Sequence, residues 1–194
     1  MISVLPPKDP RPWTERFAAA VSHPVEWLRG IAGGASIYPL LILFGLNAVD
    51  ELDRTAFGIL LPNIQEEFGL DLSGILTVVA VTLGVSLLLQ IPIAHLADRS
   101  NRIRMAMMGA IVWSVFSFWT GLATTVWMLY VARIGSGLGR AVNDPTHQSL
   151  LADYYAVDQR AKVYSLHRAA NTVGQFLGPI IGGYLAFRWG WRTP

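Results

Sequence analysis

Two apolar runs, 75–93 and 105–122, flank the charged stretch AHLADRSNRIRM at 94–105. Each run approaches the ~20 apolar residues with which a helix crosses a bilayer. The stretch between them holds one acid and three arginines, Asp98, Arg99, Arg102 and Arg104. It is predicted as a tight loop at a membrane surface that joins two antiparallel spans. Arginines in so short a loop resist translocation, which places it on the cytoplasmic side.

Composition supports that reading. The chain has 194 residues, 53% hydrophobic and 14% charged, with a mean hydropathy of +0.42. Soluble domains carry about 25% charged residues, so one helical membrane domain is expected. The net charge of +2 decides little, because the charges divide by membrane side. No basic patch interleaved with aromatics is present, and no nucleic-acid partner is expected. With no cysteine, disulfides and thiol chemistry are excluded. No cofactor or metal site is implied. The first thirty residues have no continuous apolar core, so no cleavable signal peptide is predicted.

Residues 1–34 are expected to form a cytoplasmic segment. Within it, 13–29 is predicted as one or two short helices broken near Pro24. Trp13, Phe17 and Val21 make a stripe suited to a helix lying in the membrane interface. Residues 35–194 are the expected transmembrane domain, with spans at 38–62, 75–96, 105–122, 126–151 and 163–187.

The first span is interrupted by Asp50, Glu51, Asp53 and Arg54. Charges at mid-membrane cost about 2.5–3.5 kcal/mol each, so they should face protein or a water-filled cavity. An acidic outer turn follows at 65–73. The third span has no charge and is the best candidate for facing lipid. On the fourth, Arg133, Gly137, Arg140, Asp144 and His147 are spaced by 4, 3, 4 and 3 along one face. A charged loop is predicted at 153–162. The fifth span carries Arg168, Asn171, Thr172 and Gln175, then GQFLGPIIGG at 174–183.

This arrangement places nine Lys and Arg residues inside (Lys8, Arg11, Arg16, Arg29, Arg99, Arg102, Arg104, Arg160 and Lys162) and two outside, Arg188 and Arg192. The N-terminus is therefore predicted to be cytoplasmic. Within the spans, four acids (Asp50, Glu51, Asp53, Asp144) match four arginines (Arg54, Arg133, Arg140, Arg168), as buried ion pairing requires.

Three stretches carry a family resemblance. AHLADRSNR resembles the loop motif G-x-L-A-D-R-x-G-R of the major facilitator superfamily. Leu96, Ala97, Asp98, Arg99 and Arg102 match, and Ala94 and Asn101 replace glycines. RIGSGLG at 133–139 resembles the superfamily's fourth-helix pattern R-x-x-x-G-x-G. GQFLGPIIGG is similar to its fifth-helix pattern G-x-x-x-G-P-x-x-G-G, associated there with proton-coupled exporters. Glycines spaced by four also serve as plain packing seams, but the proline after Gly178 and the Gly182–Gly183 pair are more specific. NAVDELDR at 47–54 is similar to the first helix of spinster-like members. Those members have an acid where this chain has Arg140, and an arginine cannot shuttle protons.

The resemblance implies an all-α membrane protein: five helices of a six-helix N-terminal bundle, incomplete. It implies a secondary active transporter working by alternating access in the plasma or inner membrane, and proton-coupled export of small amphipathic or lipid-like compounds. Substrate- and ion-binding candidates are Asp50, Glu51, Asp53, Arg54, Arg140, Asp144, His147, Arg168 and Asn171, with Asp53–Arg140 the first choice of pair. Asp98, Arg99, Arg102, Asp153, Arg133, Gly174, Gly178, Pro179 and Gly182 would serve the conformational motifs, with Arg102 reaching Asp153. The implied partners are the lipid bilayer, a small-molecule substrate, protons, and a missing C-terminal half on the same or another chain. Two other classes compete. A non-transporting membrane module would account for the absent sixth span. An intramembrane enzyme would need a motif that neither His147 with Asp153 nor Ser136 in IGSG supplies.

Overall fold

The computed structural model describes residues 12–192. Their regular elements are α1 (Trp13–Ser22), α2 (Pro24–Ile31), α3 (Tyr38–Phe68), α4 (Leu72–Arg99), α5 (Arg102–Gly121), α6 (Val126–Tyr154) and α7 (Val157–Trp189). Among the described residues there is no strand. The five long helices overlap the residue ranges of the five expected spans, and residues 13–31 contain two short helices separated just before Pro24. Leu72–Leu96 and Arg102–Gly121 are long and apolar enough to cross a membrane.

The connections are shorter than the charge pattern suggests. Of the loop expected at 94–105, only Ser100 and Asn101 are non-helical. Its arginines stand on helix ends, where Arg99 complements the C-terminal dipole of α4. Asn101 starts α5 by accepting the Arg104 N–H at 3.1 Å. The expected outer turn at 65–73 contracts in the same way, because α3 continues through Pro62 to Phe68. Gly69 ends it with φ 62°, and the Leu70 N–H returns to the Gln65 carbonyl at 3.0 Å. That left-handed step suits glycine. Asp71 then caps α4, accepting from the Gly74 N–H and the Ser73 hydroxyl, both at 2.8 Å. Those bonds, the backbone one first, hold its carboxyl below the usual aspartate range.

The loop expected at 153–162 also shrinks, to Tyr155 and Ala156. Tyr155 is buried, with its hydroxyl donating to the Ser36 carbonyl at 2.7 Å and accepting from the Leu40 N–H at 3.2 Å. One phenol thereby ties the entry of α3 to the α6–α7 turn.

Packing follows the small residues. α3 lies mainly on α7, while α6 lies on α5 and α4. A Cβ at Gly174 would meet the α3 backbone at Ala48 and Leu52, and one at Gly178 would meet the Thr55 hydroxyl. A Cβ at Gly182 would stand 2.7 Å from that of Ala56. The GQFLGPIIGG glycines are therefore a close-packing seam against α3. On the other side Gly139 approaches Trp113 and Gly135 approaches the Phe116 ring. Beyond its first turn the uncharged part of α5 is consequently two-sided: Gly109 and Trp113 are buried on α6, while Met107, Met108, Ile111, Val115 and Phe118 are exposed. Two apolar cores cap the ends. One gathers Leu40, Leu43, Leu151, Tyr155 and Val163; the other gathers Leu60, Ile64, Ile75, Ala123 and Leu129.

Candidate functional site

Between these apolar ends the polar residues of α3, α4, α6 and α7 enclose an open cavity of about 480 Å³. Asn47, Asp50, Glu51 and Arg54 stand on its α3 wall, which is the face their i, i+3, i+4, i+7 spacing defines. Arg133, Gly137 and Arg140 come from α6, Arg168 and Asn171 from α7. α4 supplies a mixed wall, with Val79, Leu83 and Leu87 beside Thr82, Ser86 and Gln90. A second cavity of about 300 Å³ lies between α3 and α5, with Leu52, Asp53, Trp113, Ser117 and Phe118 among its lining.

An ion cluster separates the two. Arg140 Nε is 2.5 Å from Asp50 Oδ1, and the same guanidinium donates to Asp53. The Nε contact is too poorly aligned to count as a hydrogen bond and is an ion pair. Asn143 adds a 3.4 Å hydrogen bond to Asp50, and the Ser117 hydroxyl donates to Asp53. Arg133 is buried, 3.7 Å from Asp53, with its guanidinium carbon 3.8 Å above the Phe57 ring. Two acids and two arginines thus neutralise one another where unpaired charge would be most costly. At the edge of the large cavity, Arg54 is 3.6 Å from Glu51, which also receives the Gln175 amide at 3.0 Å.

The expected Asp53–Arg140 pair is present, yet Asp53 lines the second cavity and Asp50 lines the first. His147 lies outside the large cavity's lining. It is buried against His167, ring nitrogens 3.3 Å apart, at the α6–α7 packing. Asn171 accepts from the Asn47 amide, which also donates to the His167 carbonyl at 3.2 Å. At the organising loop, Arg102 reaches Asp153 at 2.5 Å as expected. Arg99 is exposed at the end of α4, and Pro179 sits within α7 beside Gly178. The side chains of Asp98 and Asp144 lie outside the described residues. Ser117, Asn143 and Phe57 were not among the expected residues. Two serines, Ser114 and Ser117, in an uncharged span were the available signal for the first.

The Major Facilitator Superfamily profile matches residues 43–194. Similar proteins include the "Probable L-galactonate transporter" of Escherichia coli strain K12, 28% identical over 79% of this chain and 34% of that protein. The "Multidrug resistance protein Stp" of Mycobacterium tuberculosis H37Rv is 32% identical over 73% of this chain and 27% of its own length. "Protein spinster homolog 1" of Xenopus laevis is 28% identical over 84% and 32%. The chain thus spans about a third of the length of the curated relatives it matches. Its fold is similar to the crystal structure of a bacterial homologue of the human lysosomal transporter spinster, inward-facing and unoccupied. There the TM-score is 0.67 and the identity 29%, over 77% of this chain and 32% of that one.

Proposed function

The chain belongs to the major facilitator superfamily, and from that premise we propose that it forms one wall of a proton-coupled exporter for small amphipathic compounds. In this reading it sits in the plasma or inner membrane with its N-terminus in the cytoplasm. Transport needs a second half, on this chain's continuation or on another chain, to close the cavity and rock against it.

One observation carries the coupling: Arg140 is shared between Asp50, at the large cavity, and Asp53, at the second. Substrate entering the large cavity would draw Arg140 from Asp50. A carboxylate stripped of its cation in a desolvated site takes up a proton. Asp53, held by Arg133 and Ser117, then keeps Arg140 from being stranded. Asp50 is thereby preferred over Asp53 as the acid that cycles, and Asp53 as the anchor.

The test is Asp50→Asn, Asp53→Asn and Arg140→Gln, with the Asp50→Asn/Arg140→Gln double variant, in the assembled transporter. Folding is followed separately from pH-driven transport. A double variant that folds and only equilibrates substrate supports the coupling role. One that still moves substrate against its gradient removes Asp50 from it.

A further inference from the structure

We infer that Asn143 is the positioning residue for the protonated form of Asp50, its side-chain carbonyl accepting the Asp50 O–H once Arg140 has drawn back. The inference rests on the reading of Asp50 as the acid that cycles, and it gives that step a receiving group.

Asn143 stands three residues after Arg140, on the same face of α6, and lines the large cavity. It is 6% exposed. Its amide N–H reaches Asp50 Oδ2 at 3.4 Å, near the outer limit of a hydrogen bond, so the carboxylate gains little from it. Its carbonyl Oδ1 is buried and has no hydrogen-bond partner among the described residues. The matching atom on Asp50 is Oδ1, which is also buried without a hydrogen bond and holds Arg140 Nε by charge alone. An idle buried acceptor is costly unless another state of the protein uses it.

Protonation supplies the missing donor. When Arg140 leaves, Asp50 Oδ1 takes a proton from hydronium in the cavity water and becomes a hydroxyl. Acid and amide can then pair twice, the Asp50 O–H donating to the Asn143 carbonyl and the Asn143 N–H donating to the Asp50 carbonyl oxygen. The return of Arg140 sends the proton back to water and leaves the amide carbonyl idle again. Other acceptors in the wall already hold donors of their own. Glu51 has Gln175 and Arg54, and Asn171 Oδ1 has the Asn47 amide. The charged groups around Asp50 are Glu51, Asp53 and Arg54 on α3, Arg133 and Arg140 on α6, and Arg168 on α7. α4 brings no charge to the cavity lining.

The experiment is infrared difference spectroscopy of the 194-residue chain in phosphatidylcholine nanodiscs, titrated from neutral to acid over the range in which circular dichroism stays helical. Asp50→Asn assigns the Asp50 carboxylic-acid band, and Arg140→Met gives a second background in which the cation is already gone. In both backgrounds, adding Asn143→Leu should make the band appear about one pH unit lower and at higher wavenumber, because the acid loses its acceptor. In the wild type, asparagine labelled with carbon-13 at its side-chain carbonyl should shift to lower wavenumber as the acid band grows. That reading needs no variant at Asn143. A band that appears at the same or a higher pH in Asn143→Leu makes Asn143 a partner of the carboxylate and overturns the proposal. So does a labelled carbonyl that does not move. Absence of an Asp50 acid band at every pH removes the coupling role of Asp50 and this inference together. A band that is present but indifferent to Asn143 removes this inference alone.

Discussion

Arg133 is 4% exposed and stands opposite Asp53 and over the Phe57 ring. Removing one member of such a pair strands the other, at about 3–5 kcal/mol in a dry interior. Asp53 is partly exposed and Arg140 still keeps Asp50, so Asp53→Asn should cost somewhat less, about 2–3 kcal/mol. Ser117→Ala removes one hydrogen bond and should cost about 1 kcal/mol. Unfolding of the chain by SDS titration in mixed micelles measures both; equal losses would place Asp53 outside the stabilising network. The Asp53–Arg140 contact was legible in the sequence, because depth in the membrane follows from span position. Ser117 and Asn143 were not, since an uncharged serine pairs only once its helix's rotation is known. Glu67 gives a prediction of another kind. The Arg192 and Trp191 side chains donate to it and hold its carboxyl below the ordinary glutamate value of 4.5. A depressed folded value means the contact contributes fully above 4.5 and is lost as pH falls through that lower value. Protection of the 186–192 amides against exchange, relative to the intrinsic rate at each pH, should therefore fall on acidification below pH ~4 in the wild type. In Glu67→Gln that protection should already be low at neutral pH. A wild-type profile flat down to pH ~2 would exclude the clasp.

At the scale of elements, helix existence was legible and helix ends were not. Charge was taken as a mark of loop at 94–105, 65–73 and 153–162, and in each case most of those residues are helical. Arg99 at the end of α4 and Asp71 before its start have the sign the dipole and capping favour. Arg102, Arg104, Glu66 and Glu67 stand at ends of the opposite sign, so charge marks the membrane surface better than it marks a break. The glycine pattern of α7 carried more information. Glycines spaced by four allowed a packing seam, and the structure shows one, with α3 as the partner that the pattern did not name. A Cβ at Gly182 would stand 2.7 Å from the Ala56 Cβ and 3.2 Å from its Cα. Gly182→Ala should thus destabilise by about 1–3 kcal/mol through overpacking. Adding Ala56→Gly moves the methyl group from one helix to the other and should recover much of that loss. If the double variant is as unstable as the sum of the two single ones, the seam is not the cause.

At the scale of the whole molecule, the paired cavities depend on a bundle whose orientation rests on charge asymmetry. Arg102 and Asp153 join the α4–α5 connection to the end of α6 at 2.5 Å, and both are substantially exposed, so their contribution to stability is expected at about 0–1 kcal/mol. Their value to the orientation argument is positional. They bring Ser100, Arg104 and the turn at Tyr155 to one end of the bundle, while Gly69, Asp71 and Ala123 mark the other. Positive-inside counting assigns the first end to the cytoplasm. The chain has no cysteine, so single cysteines report without background. Ser100→Cys suits the inner end, being exposed and non-helical. Asp71 is a poor choice at the outer end, because it caps α4 through Gly74 and Ser73. Glu66→Cys is better, exposed in the last turn of α3 and one residue from the Glu67 clasp. In intact cells an impermeant maleimide should label the residue-66 variant and spare the residue-100 variant until the membrane is opened. Labelling of both from outside would break the span assignment. The reverse order would invert the bundle and, with it, the membrane side on which Arg102 and Asp153 stand.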